Sequence, residues 1–224
     1  MIVEGQTEEQ FVHSVLREHL AARSVFVSVR CVETSRDKRR GKVFRGGMTT
    51  YSRTRKDIKN WMKEDRGADA RFSSMFDFYH LPNDFPGMIE SSGLTNSLSS
   101  VLAIEEAIRR DIDDARSIPY IQLHEFEALL FGDPAQLKWS FTEHDSAIHL
   151  LLELATTFTS PEEIDDQHPP SKRIIDVIPE YGGSKVSAGP LTAAKIGLSL
   201  LREKCPHFNA WICRLEKLVD SESS

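Results

Sequence analysis

No apolar run in this sequence approaches the roughly 20 residues that a membrane-spanning helix needs. The opening Met1-Ile2-Val3-Glu4 has neither the basic nor the apolar region of a secretory signal. A cytoplasmic location with no membrane partner is therefore the expectation. Cysteine is scarce, with Cys31, Cys205 and Cys213 the three in the chain. An odd count without regular spacing argues against a disulfide framework. The lack of a Cys-x-x-Cys pair argues against structural zinc. Three reduced, mostly buried thiols are expected instead. Several catalytic signatures are missing too. There is no P-loop pattern, no Gly-x-Ser-x-Gly elbow and no Gly-x-Gly-x-x-Gly.

What remains is a chain of 224 residues with 40% hydrophobic content, enough to bury a core. That length suits one α/β domain with appended helices. The net charge is −6, but it is unevenly spread. Arg30 to Lys63 holds twelve Lys or Arg against three acids, leaving −15 for the rest of the chain. A basic segment on an acidic body fits either a phosphate-binding stripe or a solvated basic loop.

Hydrophobic periodicity predicts strands at Met1–Val3, Val25–Val32, Phe72–Phe78 and Ile118–Leu123. A three-residue first strand is short, so the natural start is expected upstream. Thr7 with Gln10 reads as a capping box opening a helix with apolar Phe11, Val12, Val15, Leu16 and Leu20. Arg36 to Gly47 reads as a basic loop. Helices are predicted over residues 51–63, 98–112, 125–131, 144–158, 172–178, 191–203 and 208–219. Strands alternating with helices predict an α/β fold with a mostly parallel sheet flanked by helices, followed by a C-terminal helical region. The expected division is a core over 1–131 and a helical region over 132–224.

In parallel sheets, sites form at the carboxyl ends of strands. Glu4, Asp77, His124 and Glu125 fall at those ends. Glu8 lies one helical turn beyond Glu4, and such carboxylates can hold a hard cation or serve as favourable first-turn acids. Asp84 in Pro82-Asn83-Asp84-Phe85-Pro86 is either a further ligand or a turn-former. His124 or Glu125 could act as ligand or general base, or cap the short helix that follows. Glu127 is the next acid in that cluster. Lys185 in Tyr181-Gly-Gly-Ser-Lys185, with Lys172 and Arg173, could neutralise charge on a reacting phosphate or be a surface cation.

Val3-Glu4-Gly5-Gln6-Thr7-Glu8 resembles the opening motif of Toprim domains, in particular those of the overcoming-lysogenization-defect nucleases. The chain as a whole resembles the bacterial family catalogued as domain of unknown function 4276. Residues 3–11, Asp77-Phe78-Tyr79-His80-Leu81-Pro82 with Phe85-Pro86-Gly87, and Gln122 to Phe131 carry that likeness. So do Ser184-Lys185, Gly189, Ile196-Gly197-Leu198, and Cys205-Pro206-His207-Phe208 through Trp211.

The Toprim resemblance implies a Toprim-like core holding magnesium through a Glu, matched by Glu4, and an Asp-x-Asp pair. Asp77 matches the first Asp, and Tyr79 stands where the second would be. Glu8 matches the extra acid of the lysogenization-defect opening. The implied activity is Mg2+- or Mn2+-dependent hydrolysis of phosphodiester bonds in DNA or RNA, as effector of a phage-defence system with an ABC or AAA-type ATPase. In that scheme Glu4, Glu8, Asp77 and Asp84 hold metal. Glu4, His124, Glu125 and Lys185 serve the reaction. Arg36, Lys38, Arg39, Arg40, Lys42, Arg45, Arg53 and Arg55 follow the nucleic-acid backbone. The alternatives are a non-catalytic nucleic-acid-binding or regulatory subunit of an ATPase complex, degenerate at Tyr79, and a small-molecule phosphotransferase. A homodimer is compatible with either.

Overall fold

The structure is a computed structural model describing residues 1–37, 42–45, 48–94, 96–164 and 167–219, with the backbone alone for 33–37 and 42–45. Its elements begin with β1 (Ile2–Val3), α1 (Gln6–Phe11), a π turn (Val12–Leu16), α2 (Arg17–Ala21), β2 (Arg30–Cys31), β3 (Glu33–Asp37) and β4 (Lys42–Arg45). There follow α3 (Tyr51–Glu64), β5 (Phe72–Asp77), a 3-10 turn (Phe78–His80), α4 (Met88–Ser91), α5 (Ser97–Ile112), β6 (Ser117–Ile118) and β7 (Ile121–Gln122). The remainder is helical: 3-10 turns at Phe126–Gly132, Pro134–Trp139 and Pro161–Glu163, with α6 (Asp145–Ala155), α7 (Pro170–Val177), α8 (Tyr181–Ile196), α9 (Leu198–Lys204) and α10 (Pro206–Glu216). Among the described residues, no helix is long and apolar enough to cross a membrane.

The chain forms two compact units, Met1–Gln6 with Ser28–Leu123, and Thr7–Val27 with His124–Ser224. The second unit therefore takes the early segment 7–27 and begins its C-terminal part at His124, before the expected boundary at 131. Packing explains this. Phe11 meets Phe126 and Phe208 at ring separations of 5.3 and 6.1 Å, and aromatic pairs at such distances gain beyond their buried area.

The first unit carries a parallel sheet in the order β2-β1-β5-β6, with β7 also on β5. All six residues of β5 are buried, as befits a central parallel strand covered on both faces. Pro119 has no N–H to give and interrupts the strand between β6 and β7. The Ser74 hydroxyl spans the break, accepting from Tyr120 N–H and donating to Tyr120 C=O, both at 3.0 Å. Glu105 accepts the Ile121 N–H at 2.8 Å. Ile58, Trp61 and Met62 from α3 and Val101, Ile104, Ile108 and Ile112 from α5 join Ile2, Phe72, Phe76 and Ile121 of the sheet in one core. The two helices are also tied end to end. Lys59 donates to Ile112 C=O at 2.6 Å, and Arg116 donates to Met62 C=O at 3.3 Å and Asp65 C=O at 2.9 Å. Cations there satisfy the carbonyls a helix end leaves over.

Three expectations are corrected here. Of the strand expected over 25–32, Arg30–Cys31 joins the sheet, and Val32 N–H bonds Val3 C=O at 2.9 Å. Residues 25–29 keep the alternating exposure of a strand, but the neighbour β1 offers two residues for pairing. The expected basic loop 36–47 includes an antiparallel pair, β3 with β4. The first helix starts at Gln6, so Thr7 lies inside the first turn rather than at the cap.

In the second unit the helical stretch from Thr7 to Ala21 contains a π turn, where Arg17 N–H bonds Val12 C=O. That extra residue per turn accommodates the five-residue step from Phe11 to Leu16, both fully buried. The segment Tyr181-Gly-Gly-Ser-Lys185, ahead of the helix expected over 191–203, is the start of α8. Gly182, Gly183, Gly189 and Pro190 all disfavour helix, so the reason is tertiary. A Cβ at Gly189 would stand 3.1 Å from both the Phe126 ring and the Tyr181 hydroxyl.

Candidate functional site

Strand register builds the site in the first unit. Val3 pairs with Met75 across β1 and β5, and Glu4 N–H continues the ladder to Met75 C=O at 3.2 Å. Glu4 thus follows the end of β1 directly, beside Asp77 at the end of β5. The Asp77 N–H donates to Glu4 Oε2 at 3.3 Å, which holds the Glu4 carboxylate over the neighbouring strand. Both acids are buried. The chain then turns, and His80 Nδ1 comes to 3.5 Å from Glu4 Oε1 and 3.7 Å from Asp77 Oδ2. Among the described residues, Glu4, Asp77 and His80 place one donor atom each within 4.8 Å of one another. His80 is half exposed and gives the cluster an open side. Two carboxylates and an imidazole around a common point are a donor set for a divalent cation.

The chain belongs to the family described as domain of unknown function DUF4276. The DUF4276 match runs over residues 3–216, starting at the residue before Glu4. No curated protein and no solved structure matches the chain.

The other acids expected at this DUF4276 site have different surroundings. Asp84 accepts the Tyr51 N–H with both oxygens, at 2.9 and 3.0 Å, and so caps α3. It is not one of the three converging donors. Glu8 is buried in the first turn of α1 and belongs to the second unit.

His124, Glu125, Glu127 and Lys185 also lie in the second unit. His124 adopts a left-handed φ of 63° and is almost wholly buried, with Nε2 3.0 Å from Glu162 C=O. Glu125 accepts the Ser171 N–H at 2.9 Å, at the start of α7. Glu162 in turn accepts the His207 and Phe208 N–H groups, both at 2.9 Å, at the start of α10. Carboxylates on helix N-termini stabilise those helices, so Glu125 and Glu162 have clear structural tasks. Glu127 is buried and accepts from the Tyr181 hydroxyl at 3.2 Å, with Lys185 Nζ 3.5 Å away. Burial pushes its carboxyl above the ordinary value, and Lys185 opposes that shift. Lys185 therefore serves a buried acid of its own helical unit. Arg173 donates to His168 C=O at 2.7 Å.

Of the expected phosphate-binding residues, Arg36, Lys42 and Arg45 sit on β3 and β4. Lys38, Arg39 and Arg40 lie outside the described residues. Arg53 is exposed on α3 and Arg55 is held by Asp111 at 2.6 Å. Sequence reasoning missed His80. The available signal was its spacing, three residues after a strand-ending Asp.

Proposed function

We propose that this protein is a divalent-cation-dependent nuclease that hydrolyses phosphodiester bonds in DNA or RNA. The observation that carries the reading is the convergence of Glu4 and Asp77 from the carboxyl ends of adjacent parallel strands, with His80 beside them. The donor set fits a small divalent ion: two hard carboxylate oxygens, one nitrogen and an open side for water or phosphate. When bound, such an ion polarises a phosphoryl oxygen and lowers the pKa of water. Glu4 and Asp77 would hold it, and the Asp77 N–H keeps the Glu4 carboxylate aimed at the shared point. Glu4 could also take up or return a proton during the displacement. The basic segment around β3, β4 and α3 would follow the backbone of the substrate. A cytoplasmic setting, an ABC or AAA-type ATPase partner and a role in phage defence complete the proposal, supported by the resemblance of Val3 to Glu8 to the lysogenization-defect nucleases.

A second reading has one observation in its favour. Tyr79 stands where an Asp-x-Asp pair would have its second acid, which suits a non-catalytic nucleic-acid-binding or regulatory subunit. Cleavage of plasmid, single-stranded DNA and RNA with Mg2+ or Mn2+, with and without the ATPase partner, separates the two. Metal-dependent cutting that falls by more than about 100-fold in Asp77→Ala supports the nuclease. Intact substrates under every condition, with nucleic acid still bound, support the subunit.

A further inference from the structure

We infer that His80 is the third ligand of the Glu4–Asp77 site, and that its imidazole turns the site's preference from magnesium toward a first-row transition cation such as manganese. The inference rests on the reading of Glu4 and Asp77 as metal-holding carboxylates.

The backbone supplies the first argument. In an extended strand, residues i and i+2 share a face, so an acid two positions after Asp77 would stand beside it. Here the strand stops at Asp77, and Phe78–His80 form a 3-10 turn. In that geometry residues i and i+3 eclipse. The turn moves the place beside Asp77 from Tyr79 to His80. His80, at i+3, is the residue whose ring lies 3.5 Å from Glu4 and 3.7 Å from Asp77.

Distances supply the second argument. The His80 Nδ1 separations of 3.5 and 3.7 Å are nearly equal and longer than a well-formed N–H···O bond. Neighbouring donors around an ion with bonds of about 2.1 Å stand about 3 Å apart. A contraction of some tenths of an ångström would seat all three donors on one ion, and the His80 side chain is half exposed. The third argument is chemical. Magnesium favours oxygen ligands and ideal octahedral geometry, whereas imidazole suits first-row transition cations such as iron, nickel, copper and zinc, a series in which manganese is the weakest binder. One nitrogen among two oxygens shifts selectivity in that direction.

The test is calorimetric titration of Mn2+ and Mg2+ into the full chain, for wild type, His80→Ala and His80→Asp, with pulsed electron paramagnetic resonance of the bound Mn2+. The expected result is Mn2+ bound about ten-fold or more tighter than Mg2+, with nitrogen hyperfine coupling. His80→Ala should lose both the preference and the coupling, and His80→Asp should shift preference back toward Mg2+. Equal Mn2+ affinity in wild type and His80→Ala, absence of nitrogen coupling in wild type, or no binding of either ion overturns the inference. Nitrogen-coupled Mn2+ in a protein that cleaves no nucleic acid sinks the nuclease proposal and leaves His80 as the ligand. Cleavage with Mg2+ that is unchanged in His80→Ala, together with unchanged Mn2+ affinity, does the reverse.

Discussion

Both carboxylate oxygens of Asp84 accept the backbone N–H of Tyr51, at 2.9 and 3.0 Å. The residue at the N-cap itself, Thr50, makes no capping bond with its side chain, so α3 receives its cap from the loop after β5. Asp84→Ala should lower unfolding stability by about 1 kcal/mol, the usual cost of a lost cap. Mn2+ affinity at Glu4 and Asp77 should stay unchanged. Chemical denaturation and metal titration check both. Loss of metal binding with normal stability would make Asp84 a ligand.

Gly87 has a φ of +86°, and a Cβ there would stand 3.0 Å from Ile104 Cα and Ala107 Cβ. Any side chain meets the strain of the left-handed region and the wall of α5 together. Gly87→Ala should destabilise by about 2 kcal/mol or more, read as a lowered thermal midpoint. A variant that melts like wild type would show that α5 gives way at no cost.

Burial raises the Glu127 carboxyl above its ordinary 4.5. The folded state then holds that proton more tightly than the unfolded chain. The stability this contributes is complete below pH 4.5 and is lost as pH rises through the folded value. Glu127→Gln keeps an acceptor for the Tyr181 hydroxyl and removes the titration. Its stability relative to wild type should therefore rise between pH 4.5 and neutrality in urea unfolding series. Parallel pH curves for the two proteins would contradict the assignment.

On α3, Arg55 is held by Asp111 at 2.6 Å, and Arg53 donates to the Thr49 hydroxyl at 3.5 Å. On the nuclease reading, Arg53→Ala should reduce the slope of log affinity against log salt by about 0.9 on duplex DNA, one phosphate contact. Arg55→Ala should change it much less. Arg39→Ala with Arg40→Ala should reduce it by about twice the Arg53 amount. Fluorescence anisotropy over a salt series measures each. A salt slope untouched by all of these substitutions would remove the basic segment from the binding surface.

Much of the architecture is legible in the sequence because local periods encode it. The apolar steps of α3, α5 and α10 mark their buried faces, and β5 declares itself by Phe72 to Phe76 with an acid at its end. Alternating strands and helices imply a parallel sheet, and a parallel sheet puts Glu4 and Asp77 at one edge. The capping duties of Asp84, Glu125 and Glu162 are not legible, since each reaches a helix N-terminus far away in sequence. The helical state of Tyr181–Lys185 is hidden for the same reason. Two glycines lower local propensity there, and the buried Tyr181 overrides it through tertiary packing.

By itself, then, the sequence determined the element types over most of the chain, the parallel sheet, the DUF4276 kinship and the two strand-end acids, because these depend on short-range periodicity and residue chemistry. The tertiary structure alone decided which unit the early helical segment joins, which acids cap helices, and that His80 comes beside the two carboxylates. Those outcomes depend on where the chain turns and what it meets there. A single 3-10 turn after Asp77 changes the facing residue from i+2 to i+3.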